Sequence, residues 1–175
     1  MNTKKIVSII LAAVMMMCAF TACGEKSDIP TGYKLASNEV CDFDFIVPIT
    51  WTVSLSDGTV AAYCSPSDPS SISVMPGELQ HADSTVADWW TENLTDFQSV
   101  YDEFTVIGEK DATLGGVAGK EYTCTAKLGE NSYRFEITAV VLRSRLYMMT
   151  FTSTDALYED HATVLETIKE HFTFK

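Results

Sequence analysis

The pattern of apolar and polar residues between residues 41 and 75 predicts a series of short strands. Apolar and polar residues alternate from Cys41 to Val47 and from Trp51 to Leu55, and a third strand is expected from Thr59 to Ser65. A period of two is typical of a strand with one face in water. Asp57-Gly58 has the sequence of a two-residue hairpin. The pattern therefore predicts a meander of three strands, followed by a short fourth strand from Ser71 to Met75.

The period changes near residue 84, after Pro76-Gly77 is expected to end the fourth strand. Apolar residues then recur every three or four positions, which is typical of an amphipathic helix. Thr85 and Asp88 have the spacing of a capping box and mark its start. The predicted apolar stripe consists of Val86, Trp90, Leu94, Phe97, Tyr101 and Phe104.

Strand patterns return in the second half of the chain. They cover residues 104–109, 117–128, 133–142 and 146–153, with turns at Gly115-Gly116 and at residues 129–131. A last helix is expected from Thr154 or Asp155, with an apolar stripe of Leu157, His161, Val164, Leu165, Ile168 and Phe172. Strands, helix, strands and helix in this order predict the α+β class, with a central antiparallel sheet flanked by helices.

The start of the chain has the layout of a secretory signal. Two lysines precede an apolar run from Ile6 to Phe20, which is shorter than the about 20 residues that a membrane-spanning helix needs. Phe20-Thr21-Ala22-Cys23 resembles the lipobox of bacterial lipoproteins, in which the cysteine is acylated and becomes the new amino terminus. We therefore expect lipidation at Cys23 and a lipid-anchored protein on the extracytoplasmic face of the cell membrane. The alternative is an ordinary secreted protein cut near Ala22.

This signal divides the chain into three predicted parts. They are a signal peptide (residues 1–22), the lipidated cysteine with a polar tether (residues 23–37), and a single domain (residues 38–175). The whole chain has a formal net charge of −12, and the signal peptide contains no acidic residue. Proteins that bind nucleic acid need a basic patch, so the charge argues against that partner. It is compatible with divalent cations.

Four stretches carry a resemblance to a known family. They are "FDFIVPITW" (43–51), "LGGVAGKEYT" (114–123), "RLYMMTFTS" (145–153) and "IKEHFTF" (168–174). In this order they resemble pieces of the PsbP/Mog/DcrB-like superfamily. The resemblance implies an α/β/α sandwich around an antiparallel sheet. It implies no activity, because the relatives include photosystem accessory subunits, a Ran-binding protein and bacterial lipoproteins, and no catalytic set is common to them.

Two residues stand out as a candidate binding surface. His161 lies near the centre of the last apolar stripe, where a core histidine hydrogen-bonded to a neighbour is the ordinary interpretation and a pocket-lining base is the other. Trp89 lies at the border of the first helix's stripe, where an indole either packs against the sheet edge or contacts a partner. Asp88, Glu92, Asp96 and Glu103 are expected on the solvated side of that helix.

The remaining reactive residues point to no known reaction. His161 and His171 are about 15 Å apart along one predicted helix and do not share a metal ion. Geometry disfavours a Cys41–Cys64 disulfide, and Cys124 is expected to be a small core residue. "GGVAGKE" (115–121) has the wrong spacing for a phosphate loop and enters a strand.

No catalytic, metal or cofactor site is therefore predicted. We expect a non-enzymatic binding or accessory module with an envelope protein as partner. The alternatives are a cell-envelope hydrolase whose site assembles from distant residues, and a cation-responsive subunit of a membrane complex. A cleft holding His161 beside a carboxylate and an exposed Ser or Cys would favour the hydrolase, and a filled core around His161 would exclude it.

Overall fold

A computed structural model describes residues 29–37, 39–56 and 58–175 of the chain. The predicted signal peptide, Cys23 and residue 57 of the predicted hairpin lie outside these residues. Among the residues described, no helix combines the length and the apolar character needed to cross a membrane.

A seven-stranded antiparallel sheet forms the centre of the molecule. Its order is β4-β5-β6-β10-β9-β8-β7. The strands are β4 (Thr52–Ser56), β5 (Thr59–Ser65), β6 (Asp68–Gly77), β7 (Asp102–Leu114), β8 (Val117–Leu128), β9 (Asn131–Leu142) and β10 (Arg145–Thr154). The pairing of β6 with β10 joins the first half of the chain to the second half.

Helix α1 (Val86–Val100) covers one face of this sheet, here called the α1 face. Thr85 caps its start, and the predicted capping box with Asp88 is present. The ring of Trp90 stacks on Tyr122 of β8, with the ring centroids 3.9 Å apart. Residues of β9 and β10 complete this core: Phe135, Ile137, Ala139, Leu146 and Met148.

Helix α2 (Ala162–Glu170) covers the other face, here called the α2 face, and a 3₁₀ turn (Glu159–His161) precedes it. Two small two-stranded sheets lie over the same face: β1 (Tyr33–Leu35) with β3 (Ile46–Pro48), and β2 (Phe43–Asp44) with β11 (Thr173–Phe174). Because successive side chains of a strand alternate between faces, the apolar runs of β9 and β10 serve both cores.

Several predicted elements need correction. The three strands predicted between residues 41 and 65 do not form one meander. The first of them is divided into β2 and β3, which pair with β11 and β1 instead of with β4. Residues 33–37, assigned to the tether, belong to the domain: β1 pairs with β3, and Ala36 and Ser37 are buried. A strand of three residues is too short to show a period in the sequence.

The ends of two further elements also differ from the prediction. Strand β6 continues through Pro76 to Gly77, because β10 pairs with it there while β5 has already ended its pairing at Val74. A proline is tolerated where a strand has a neighbour on one side only. Helix α2 begins at Ala162, later than the predicted Thr154 or Asp155, because the intervening residues form turns and the 3₁₀ segment.

Candidate functional site

Three side chains of different chemistry meet at one end of the α2 face. Nε2 of His161 lies 2.8 Å from Oδ2 of Asp68. A thiol sulfur, a carboxylate oxygen and an imidazole nitrogen, from Cys64, Asp68 and His161, all lie within 4.8 Å of one another. We call these three residues the thiol–imidazole cluster. The imidazole is 11% exposed and the Asp68 side chain 21% exposed, so the cluster opens to solvent at one edge.

A β-bulge brings Cys64 and Asp68 together. Tyr63 pairs with Ser71, but Ser65 pairs with Asp68, so β6 has one residue more than β5 over this stretch. Bulges re-aim side chains and are frequent beside functional sites. The extra residue on β6 brings the start of that strand, with Asp68, next to Cys64.

His161 is fixed by aromatic contacts on two sides. Its ring meets Trp51 edge-on at 5.7 Å and Phe151 at 5.8 Å, measured between ring centroids. His161 itself ends the 3₁₀ turn and is the residue before α2. It is thus a buried histidine hydrogen-bonded to a neighbour, and that neighbour is a carboxylate beside a thiol.

The cluster holds its negative charge on Asp68. Burial raises the pKa of Asp68, but hydrogen bonds from Ser70, His161 and Cys64 outweigh it and lower the pKa to about 2. Burial and the same carboxylate raise the pKa of the Cys64 thiol. Near neutral pH the cluster therefore contains a carboxylate and a protonated thiol.

An apolar groove lies on the opposite side of the molecule, between α1 and strands β6 and β10. We call it the α1 groove, and its volume is about 330 Å³. It is lined by Met75, Trp89, Asn93, Asp96, Phe97, Val100, Tyr101 and Met148. Val100 is 70% exposed and Met75 is 41% exposed. A second cavity of about 300 Å³ shares four of these residues and extends beneath the end of α1.

Trp89 forms part of the wall of this groove. It is 9% exposed, and its ring contacts those of Trp90 and Phe97. Trp89 and His161 therefore lie on opposite faces of the sheet and belong to different surfaces. The other two histidines are elsewhere: His81 is exposed in a loop, and His171 follows α2, where Nδ1 lies 3.0 Å from the carbonyl oxygen of Thr167.

A buried ion network also occupies the α2 face. Lys169 donates hydrogen bonds to Glu121 at 2.8 Å and to Glu136. Lys110 approaches Glu121 from the rim at 2.7 Å. Burial raises the pKa of Glu121, but the two lysines outweigh it and hold the pKa below its usual value. Lys110 and Lys169 together supply two positive charges to the two carboxylates. Because the charges balance, we assign this network a structural role.

Sequence reasoning identified His161 but missed Cys64 and Asp68 as its neighbours. Thr52 pairs with Tyr63, so Trp51 and Cys64 are the next residues along the two strands. Asp68 was assigned to a loop, and 93 residues separate it from His161 in the sequence. Near Asp68, the only local indication of a special position is that this acidic residue precedes Pro69 at the start of β6.

No protein-family model matches the chain, and no curated protein matches it in sequence. Solved structures do match its fold. Cyanobacterial PsbP (CyanoP) from Synechocystis is 13% identical, with 89% of this chain and 99% of that chain covered and a TM-score of 0.62. The Ran-binding protein Mog1p from Saccharomyces cerevisiae is 10% identical, with 81% and 95% covered and a TM-score of 0.59.

LpqN from Mycobacterium tuberculosis, described as involved in cell envelope biogenesis, is 16% identical. The match covers 84% of this chain and 80% of LpqN, with a TM-score of 0.55. At such low identity these matches establish the fold alone. The predicted antiparallel sheet is confirmed, although strands predominate and, within residues 29–37, 39–56 and 58–175, one α-helix packs on each face. The chain therefore has the PsbP/Mog-like fold.

Proposed function

We propose that this protein is a membrane-anchored extracytoplasmic lipoprotein whose domain is a non-catalytic binding module. The observation that carries the binding role is the α1 groove. Apolar side chains line most of it, and two of them, Val100 and Met75, are exposed to solvent. Exposed apolar patches of this kind are typical of interaction sites.

The occupant we propose is a segment of an envelope protein with apolar side chains flanked by lysine or arginine. Asp96 lies on the rim of the groove, and α1 contains acidic residues but no basic one. The whole chain is acidic as well. Charge complementarity of this kind steers association and selects partners. Mog1p is described as Ran-binding, which supports a protein partner for a domain of this shape.

The thiol–imidazole cluster meets part of the geometric condition for the hydrolase, because His161 lies beside a carboxylate and a half-buried thiol. The electrostatics of the cluster nevertheless favour binding over the hydrolase alternative. A cysteine nucleophile acts as the thiolate and needs a cationic neighbour that lowers its pKa. Here burial raises the pKa of the Cys64 thiol, and the neighbouring Asp68 carboxylate raises it further. His161 is held by that same carboxylate instead of by the sulfur. The arrangement therefore does not activate Cys64.

The anchor is supported by the sequence at residues 20–23 and by the acidic, polar stretch after it. Two or three acyl chains on Cys23 hold a protein stably at a membrane surface. Mass spectrometry of the native protein from membranes should find Cys23 as the first residue, carrying lipid. An unmodified Cys23, or residues 1–22 still attached, would contradict the anchor without affecting the groove.

A photo-crosslinking amino acid at Val100 tests the binding role. In living cells we expect it to capture an envelope protein. The matched control is the same amino acid at Leu55, which is 49% exposed and pairs with Val60 of the α2-face core. That position should capture little. Capture of a second copy of this chain, of lipid, or of nothing beyond the Leu55 control would contradict the proposed occupant.

A further inference from the structure

The thiol–imidazole cluster contains three donor atoms that the proposed function does not use. They come from three separate elements: β5 supplies Cys64, β6 supplies Asp68, and the turn before α2 supplies His161. Thiol, carboxylate and imidazole are the three side-chain types that bind zinc in proteins. Their convergence at a solvent-accessible edge is thus a ligand set.

We propose that Cys64, Asp68 and His161 bind a divalent transition-metal ion of the Zn²⁺ class, with a fourth position open to solvent. The donor set selects this class of ion. Zn²⁺ accepts sulfur, nitrogen and oxygen together in a tetrahedral site, whereas Ca²⁺ and Mg²⁺ prefer oxygen ligands only. Three protein ligands leave one coordination position for water or for a partner's side chain.

The distances fit such an ion after small movements. Tetrahedral ligands of Zn²⁺ lie about 3.3–3.6 Å from one another, given its bond lengths to nitrogen, oxygen and sulfur. Nε2 of His161 and Oδ2 of Asp68 are 2.8 Å apart, so this pair opens slightly. The sulfur of Cys64 already lies within 4.8 Å of both. At most, the sulfur must come closer to each of the other two ligand atoms by about 1.2 Å.

The surroundings orient the ligands. The backbone N–H of Ser70 donates to Oδ1 of Asp68 at 2.9 Å, which leaves Oδ2 directed at the cluster. Trp51 and Phe151 hold the imidazole ring from two sides. Such supporting contacts are characteristic of metal sites, where they fix the direction of each ligand. The bulge between β5 and β6 supplies the third element of this support.

Binding releases one proton overall and involves no electron transfer. As the bond between the Cys64 sulfur and the metal ion forms, the S–H bond breaks and the proton passes to solvent. Before the ion binds, Nε2 of His161 donates its proton in a hydrogen bond to the Asp68 carboxylate. On binding, that proton leaves Nε2 for solvent and Nδ1 takes one up from solvent, so the imidazole stays neutral and its Nε2 lone pair bonds to the ion. The hydrogen bond between His161 and Asp68 is replaced by two bonds to the ion. This site lies on the α2 face, so a test of metal binding is independent of the proposal for the α1 groove.

Competition with a chromophoric chelator tests the site in the full chain, purified in detergent and kept reduced. We expect a Zn²⁺ site that Cys64→Ser and His161→Gln each weaken by about 100-fold or more, since loss of a supporting contact alone costs 10–100-fold. His81→Gln is the matched control, because His81 is exposed and is not one of the three clustered residues, and this variant should bind Zn²⁺ as the wild type does. Equal affinity in all four proteins would overturn the proposal.

A second measurement needs no substitution at the cluster and so covers variants that fail to fold. The wild-type chain is treated with a maleimide, and each cysteine peptide is quantified by mass spectrometry. Zn²⁺ should slow modification of Cys64 at least 10-fold, and Mg²⁺ should leave the rate unchanged. Cys124 is buried and serves as the internal reference. Unchanged reactivity of Cys64 in saturating Zn²⁺ would refute the site.

Discussion

Lys169 is a largely buried charged residue whose ion pairs connect helix α2 to the central sheet. Its side chain is 15% exposed, and those of its partners Glu121 and Glu136 are 5% and 11% exposed. Burial lowers the pKa of Lys169, but the two carboxylates outweigh it and raise the pKa above its usual value. The lysine therefore stays charged and, together with Lys110 at Glu121, balances the two buried carboxylates.

Replacing Lys169 by methionine should lower the free energy of unfolding by about 3–5 kcal/mol, because two buried carboxylates lose their shared partner. Urea unfolding measures the difference. Lys120→Met is the matched control, since Lys120 binds Glu109 and Asp111, whose side chains are 50% and 91% exposed. That change should have little effect. An equal decrease in the free energy of unfolding of the two variants would show that the buried network stabilises the fold no more than the exposed ion pairs do.

Single residues were predictable from the sequence where their neighbours lie on the same element. The sequence draws attention to His161 through its place in an apolar stripe and to Trp89 through its place at a stripe border. The structure places these two residues on opposite faces of the sheet, so they do not form one surface. Cys64 and Asp68 were not connected with His161, because a bulge between β5 and β6 creates their contact and no local pattern encodes it. Lys169 and its partners likewise meet across elements that are distant in the sequence.

At the scale of elements, helix α1 is the clearest success of the sequence. Its start depends on Thr85, whose hydroxyl accepts the backbone N–H of Asp88 at 3.2 Å. The backbone N–H of Thr85 in turn donates to the Asp88 carboxylate at 2.9 Å. A reciprocal cap of this kind is readable from four consecutive residues.

Substitution Thr85→Ala should reduce the free energy of unfolding by about 0.5–2 kcal/mol, the usual cost of losing a capping side chain. Urea unfolding of the purified chain measures it. Thr95→Ala is the control within the same helix, because Thr95 is exposed and alanine is the better helix former there. A variant at position 95 that is destabilised as much as the one at position 85 would contradict the capping role.

Strand boundaries were less predictable than the helix, for two physical reasons. Strand β1 has three residues, too few to reveal a period, and so residues 33–37 were assigned to the tether. Pro76 was expected to end β6, yet pairing with β10 on one side alone extends that strand to Gly77. Both errors arise because a distant strand, which the local sequence cannot specify, completes the element.

At the scale of the whole molecule, the order of strands and helices was sufficient to predict the antiparallel sheet, but it did not predict the two small sheets that cover the α2 face together with α2. The apolar runs in β9 and β10 correctly indicated strands buried on both faces. The sequence could not show that β6 lies beside β10, which places the start of β6 near α2 and the end of β6 in the α1 groove. That neighbour relation creates both candidate surfaces.

The two faces consequently have different chemistry. The α2 face carries the thiol–imidazole cluster and the buried ion network, and the α1 face carries the apolar groove with an acidic rim. A metal ion on one face and a protein segment on the other could both be bound at once. The binding role rests on the groove alone.

Identification of the peptide crosslinked to residue 100 in living cells is the most direct test of that role. We predict one recurrent segment of an envelope protein, with apolar side chains beside lysine or arginine, that is absent from crosslinks made at residue 55. The proposed role would be contradicted by crosslinks with no recurrent segment, or by the same products at both positions.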